Sequence, residues 1–170
     1  MKIKISEIKK GEQKAAYTEQ ILRMLPDWFG IEESLQEYVN TVHNLPFWAA
    51  FVEREEKGGN VGDICVGFFA LKIHYDRTGD IYCCGINPDY HGKGIGTLLF
   101  AELEKFCIAK NCEYIIVKTL SEIVQNSHYL QTKKFYQKLG FVELLTLTEM
   151  WDERNPCLIM IKGLSTPAYT

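Results

Sequence analysis

The chain has little that would mark it for a membrane, a disulfide scaffold or a nucleic acid. Its longest uninterrupted apolar stretch, Leu45 to Val52, falls far short of the ~20 residues that cross a bilayer. The start, Met1-Lys2-Ile3-Lys4-Ile5, alternates like a short strand and lacks the apolar core of a secretory signal. A cytoplasmic protein with no membrane partner is therefore expected. Proline is sparse, five in 170 residues, and no Ser-, Gly- or Pro-rich linker interrupts the chain. A single domain over residues 1–170 follows as the expectation. No basic run is present either: 19 Lys and Arg stand against 22 Asp and Glu, for a net charge of −3. A groove that neutralises phosphates needs many cations, so nucleic acid is not an expected partner. The six cysteines, Cys65, Cys83, Cys84, Cys107, Cys112 and Cys157, never form a C-x-x-C pair and have no closely spaced histidines. That spacing argues against metal and disulfide frameworks, and in a reducing compartment it reads as small core residues.

What is present is ordinary globular chemistry, 46% hydrophobic and 24% charged, which excludes disorder and coiled coil. Alternation over Lys2–Ile8 predicts a first strand. Ala15, Thr18, Ile21, Leu22 and Leu25 predict a helix over 12–25, ending before Pro26. Ile31, Leu35, Tyr38, Val39 and Val42 predict a second helix, with Glu32 and Glu33 in its first turn where the dipole favours negative charge. Phe47–Glu53, Asp63–His74 and Asp80–Ile86 read as a strand meander, with turns at Glu55–Asn60 and Asp76–Gly79. A helix after the next loop carries the stripe Ile95, Leu98, Leu99, Leu103, Phe106 and Cys107. Glu113–Leu120 is a β-branched buried strand, and Tyr129–Leu139 is a helix closed by Gly140. Strands Phe141–Met150 and Leu158–Lys162, joined across Trp151–Pro156, end the order β-α-α-β-β-β-α-β-α-β-β. The fold class is α/β (α+β): a mixed, mostly antiparallel sheet of about seven strands flanked by four helices.

The informative segment is Ile86-Asn87-Pro88-Asp89-Tyr90-His91-Gly92-Lys93-Gly94-Ile95-Gly96-Thr97. It joins a strand to an amphipathic helix, so unpaired amides and the positive end of the dipole converge there. Glycines let main chain approach a ligand closely, and Lys93 adds positive charge, a combination suited to a diphosphate. The P-loop pattern fails because Gly94 follows Lys93, and the dinucleotide pattern fails because Thr97 stands where a glycine is required.

The stretch Ile86–Leu99 resembles the acetyl-CoA signature of the GNAT N-acetyltransferases. His91-Gly92-Lys93-Gly94-Ile95-Gly96 matches its [RQ]-x-x-G-x-[GA] core except at the first position, where His replaces Arg or Gln. Lys134-Phe135-Tyr136-Gln137-Lys138-Leu139-Gly140-Phe141 is similar to the family's second motif, a helix-to-strand junction. The resemblance implies acetyl-CoA as cosubstrate, with no metal. It implies direct attack of a primary amine on the thioester within a ternary complex. Cys84, Gly85 and Ile86 would sit beside the thioester arm, and His91, Gly92, Lys93, Gly94, Ile95, Gly96 and Thr97 around the diphosphate. Tyr129 stands where many members carry a cofactor-binding Asn; it is kept as a cofactor-side candidate, without the Asn role.

By the same resemblance Tyr136 is the general acid for the leaving thiolate, since a phenol with an ordinary pKa of about 10 is protonated at neutral pH. Candidate bases are Asp80, on the strand before the loop, and Glu122, after strand 113–120. Cys83 or Cys84 as an acetylated nucleophile is disfavoured, because no nearby histidine would activate a thiol. Trp28, Phe29, Tyr82 and Trp151 are candidate acceptor contacts. Glu149, Asp152 and Glu153 form an acidic edge that would favour a cationic small-molecule amine. Monomer and homodimer both remain open. The rival functions are a non-catalytic acyl-CoA-binding or regulatory module, and a transferase for a longer acyl group or a protein amine.

Overall fold

Period-2 and period-3.6 patterns become strands and helices in the expected order. The computed structural model describes residues 1–55, 61–121, 127–152 and 154–165. Its elements are β1 (Ile3–Glu7), α1 (Gly11–Leu22), α2 (Glu32–Thr41), β2 (Phe47–Glu55), β3 (Val61–His74), β4 (Thr78–Ile86), α3 (Ile95–Ala109), β5 (Tyr114–Leu120), α4 (Ser127–Lys138), β6 (Val142–Asp152) and β7 (Asn155–Gly163). Short 3-10 turns add Val42–Asn44 and Pro88–Tyr90. The strands form one sheet in the order β1-β2-β3-β4-β5-β7-β6. β4 and β5 run parallel, while β1–β2, β2–β3, β5–β7 and β6–β7 are antiparallel. The parallel pair needs a long crossover, and α3 supplies it. Four helices and a mostly antiparallel seven-stranded sheet make this the expected α/β class.

Element boundaries differ from the sequence reading for local reasons. α1 stops at Leu22, not Leu25: Met24 N–H donates to Ile21 and Leu25 N–H to Leu22, so the chain tightens into a turn ahead of Pro26. β4 begins at Thr78, not Asp80, because Thr78 and Gly79 already pair with Tyr114 and Ile115. The turn before it is compressed onto Tyr75 and Asp76, both left-handed at φ 55° and 51°. On α3 the stripe passes through Phe100, which is buried, and Leu98 is 44% exposed. Trp151 belongs to strand β6, not to a connecting loop. Most of the expected turn at 55–60 lies outside the described residues.

The chain divides into two compact units, Met1–Lys72 with Cys83–Lys105, and Ile73–Tyr82 with Phe106–Thr170. The first has a core of Ile21, Leu22, Val42, Phe47, Phe68, Phe69, Leu71, Leu99 and Leu103. The Phe47 and Phe68 rings stack at 5.1 Å. Lys14 is buried there and lies 2.6 Å from the Leu45 carbonyl, to which its ammonium donates. That carbonyl follows the Val42–Asn44 turn, so a charge buried in α1 finds an acceptor at the end of a helical turn. Burial, then the charge of Lys9, pulls the Lys14 pKa below the ordinary lysine value.

The second unit is built on Ile115, Val117, Tyr136, Phe141, Cys157 and Met160. α4 ends with Phe141 N–H donating to Tyr136 across Gly140, the cap expected of that glycine. Its outermost strand, β6, exposes Val142, Leu144, Leu145, Leu147, Met150 and Trp151 by 40% or more each.

Candidate functional site

In the first unit, the glycine loop is held by its own atoms. Asn87 N–H donates to Val66 O at 2.9 Å, tying the end of β4 to β3. The Asn87 side chain accepts from Asp89 N–H at 3.0 Å and so caps the Pro88–Tyr90 turn. His91 Nε2 lies 2.7 Å from Ile86 O; a carbonyl only accepts, so Nε2 carries the hydrogen. The Trp28 ring meets the His91 ring edge-on at 6.4 Å. Lys93 Nζ donates to Asp89 O at 2.8 Å and lies 4.7 Å from the Tyr90 ring centre. Its charge is tethered to the loop.

The recognition surface of this loop is main chain. Gly92 and Gly94 adopt φ of 72° and 79°, conformations costly for any residue with a Cβ. A Cβ built at either position meets nothing within 4 Å, so space is open beside them. Leu98 N–H makes a helical bond to Gly94 O. The amides of Ile95, Gly96 and Thr97 thus lie in the first turn of α3, with no carbonyl four residues back inside the helix. Three amides, a dipole end and a nearby cation form a cradle of the kind that fits a diphosphate.

Neighbouring candidates in the first unit have mixed surroundings. Cys83 is buried and Cys84 half-buried, as opposite faces of a strand require. Burial, with the Cys84 charge behind it, drives the Cys83 thiol well above its ordinary value, which argues against a thiolate nucleophile there. Gly85 permits α1 and the turn after it to approach closely, since a Cβ would come within 2.9 Å of both Ile21 and Leu25. Trp28 and Phe29 are half-buried; Phe29 packs edge-on against Tyr38 at 5.6 Å.

The second unit carries the side-chain chemistry. Asp80, on β4, is buried; its Oδ2 lies 2.6 Å from Lys118 Nζ and 2.9 Å from His74 Nε2. Its Oδ1 is buried without a hydrogen-bond partner among the described residues. The parallel register pairs Asp80 with Ile116, which puts Lys118, two residues on, on the same face. Tyr82 follows on that face and is half-buried. Tyr136 is buried on α4 between the rings of Phe135 and Phe141, at 5.2 and 5.5 Å. Tyr129, one α4 turn from Lys133, is half-buried, and Trp151 is 45% exposed on β6. Glu122 and Glu153 lie outside the described residues.

Sequence reasoning found Asp80 but missed Lys118 and His74. The signal was a lysine inside the apolar run Tyr114-Ile115-Ile116-Val117-Lys118-Thr119-Leu120. A cation there needs a buried anion as partner. Among the described residues no group of three metal-ligating side chains converges, and no helix is long and apolar enough to cross a membrane.

Comparison with known proteins agrees with the family resemblance read from the sequence. A profile described as "Acetyltransferase (GNAT) family" matches residues 13–141. Mycothiol acetyltransferase of Saccharopolyspora erythraea is 33% identical over 79 residues, covering 46% of this chain and 24% of that protein. The chain spans less than two thirds of the length of the curated relatives it matches first. The ribosomal-protein-S18-alanine N-acetyltransferase of Escherichia coli superposes with a TM-score of 0.70 at 16% identity, over 99% of this chain and 98% of that one. An aminoglycoside 6'-N-acetyltransferase complexed with coenzyme A superposes at 0.71 with 20% identity, over 96% and 99%. At such identities the structures speak for the fold, and the profile speaks for the family. The chain is a member of the GNAT acetyltransferase family.

Proposed function

We propose that this chain, acting as one domain, moves the acetyl group of acetyl-CoA to the primary amine of a small molecule by direct attack in a ternary complex. The observation that carries the reading is the pair of left-handed glycines, Gly92 and Gly94, opening onto the N-terminus of α3. The coenzyme A held by the aminoglycoside acetyltransferase of the same fold supports the same donor. His91 and Lys93 brace the loop, and its amides take the diphosphate. Cys84, Gly85 and Ile86 of β4 lie along the thioester arm and offer main-chain donors to the developing oxyanion.

In this reading Asp80 takes a proton from the incoming ammonium, and the freed amine attacks the carbonyl. Tyr136 protonates the departing thiolate. The second amine proton, lost as the intermediate collapses, restores the tyrosine. Most of the rate comes from positioning and oxyanion stabilisation. Trp28, Phe29, Tyr82 and Trp151 are the acceptor contacts, and the carboxylates near the end of β6 favour a cationic acceptor.

Calorimetric titration with acetyl-CoA, followed by thiol release across an amine panel, tests the proposal. Binding together with turnover on cationic small amines is expected. Binding without turnover on any amine would leave an acyl-CoA-binding module. Turnover confined to peptide N-termini would move the acceptor to a protein amine, and preference for a longer thioester would move the donor.

A further inference from the structure

Asp80 is an odd ion pair. A carboxylate buried to hold a fold has both oxygens engaged, because each lone pair left dry weakens the native state. Here Lys118 and His74 crowd onto the same oxygen, Oδ2, at 2.6 and 2.9 Å, and Oδ1 has no partner among the described residues. The Asp80 side chain is 4% exposed, the Lys118 side chain 27% and the His74 side chain 42%. Two donors thus reach in from the margin to one oxygen of an enclosed carboxylate.

The other groups around it do not replace the missing partner. Arg77 and Glu113, near the same end of β4, bond each other at 2.9 and 2.8 Å. Cys157, on β7, feels the charges of Lys118 and Asp80, but burial first of all pushes its thiol up, so it stays neutral. Tyr82 is two residues along the same face of β4.

We infer that Lys118 and His74 are positioning residues that act on the reaction only through Asp80: by saturating Oδ2 they fix the carboxylate so that Oδ1 is the oxygen offered to the N–H of a cationic acceptor. This rests on the base role given to Asp80 above. The ammonium passes one proton to Oδ1, the C–N bond forms and the C–S bond breaks. The second nitrogen proton reaches the CoA sulfur by way of Tyr136. The proton on Asp80 leaves to solvent, so one proton is released per acetyl transferred. Lys118 supplies a charged donor to Oδ2, and His74 supplies the second donor that sets the carboxylate's rotation.

The test measures thiol release with acetyl-CoA saturating and a cationic amine varied, and acetyl-CoA affinity by calorimetry. Lys118→Met should lower kcat/KM for the amine by about tenfold or more. Lys118→Arg, which keeps a charged donor, should restore most of it. His74→Phe should lose several-fold, and His74→Gln, whose amide still donates, should recover part. Acetyl-CoA affinity should hold in all four. In an Asp80→Asn background, Lys118→Met should have little further effect, the non-additivity expected of groups acting in series.

Conservative variants as poor as the disruptive ones would mean a packing role and overturn the inference. So would undiminished amine turnover in Lys118→Met, or full additivity with Asp80→Asn. Absence of turnover in the unmodified protein overturns the acetyltransfer reading itself, and this inference with it. Turnover that responds to Asp80→Asn but not to Lys118 or His74 overturns this inference alone.

Discussion

The glycine loop and the Asp80 cluster present their polar groups by opposite means. The loop is exposed, and its His91 and Lys93 side chains are turned back on the chain: His91 to Ile86 O, Lys93 to Asp89 O. What it offers is main chain, set by two left-handed glycines and the first turn of α3. The cluster is enclosed and offers a side chain, Asp80, whose geometry comes from His74 on β3 and Lys118 on β5. Recognition by main chain tolerates side-chain change but not a change of φ. Recognition by a buried carboxylate tolerates neither loss of charge nor loss of its companions.

That contrast can be pressed with substitutions ordered by expected effect. Asp80→Asn keeps shape and removes the proton acceptor. Its kcat should fall by about a hundredfold, at the low end of the range for a lost acid–base group, with unchanged acetyl-CoA affinity by calorimetry. Tyr136→Phe preserves the packing between Phe135 and Phe141 and should lower kcat by roughly tenfold. An unchanged kcat would take the acid role from Tyr136. Gly94→Ala forces a side chain into a left-handed φ, at a cost of about 1–2 kcal/mol. Acetyl-CoA binding should weaken by about tenfold while kcat at saturation holds. Lys93→Ala should weaken binding by only a few-fold, since the exposed ammonium is tethered and screened. If Lys93→Ala matters more than Gly94→Ala, side-chain charge and not main chain governs the loop, and the contrast fails.

The same contrast explains what could be read from the amino acids alone. The loop is local: its glycines and the following apolar stripe are neighbours in sequence, so a glycine-rich turn into a helix was legible there. The order of strands and helices was legible too, because each element carries its own period. The cluster is not local. His74 is six residues from Asp80 and Lys118 is 38 away; only strand register brings them to one oxygen. Leu98 misled for a different reason: it fits the helical stripe, but Phe100 occupies the buried side and Leu98 is left in solvent. Trp151 falls in the connection Trp151–Pro156 expected from the sequence. The strands instead continue to Asp152 and from Asn155, with Pro156 opposite an irregular stretch of β6 between Leu147 and Asp152.

None of the six cysteines is in a disulfide, and four of them are held in a form that resists electrophiles. Burial pushes Cys65 up to about 11 and drives Cys83, Cys112 and Cys157 upward as well. A reaction that liberates a thiol can therefore be followed with a chromogenic disulfide reagent against a low protein background. Half-buried Cys84 is the natural attachment point for a small fluorophore or spin label on β4, and occupancy of the neighbouring loop should slow its labelling.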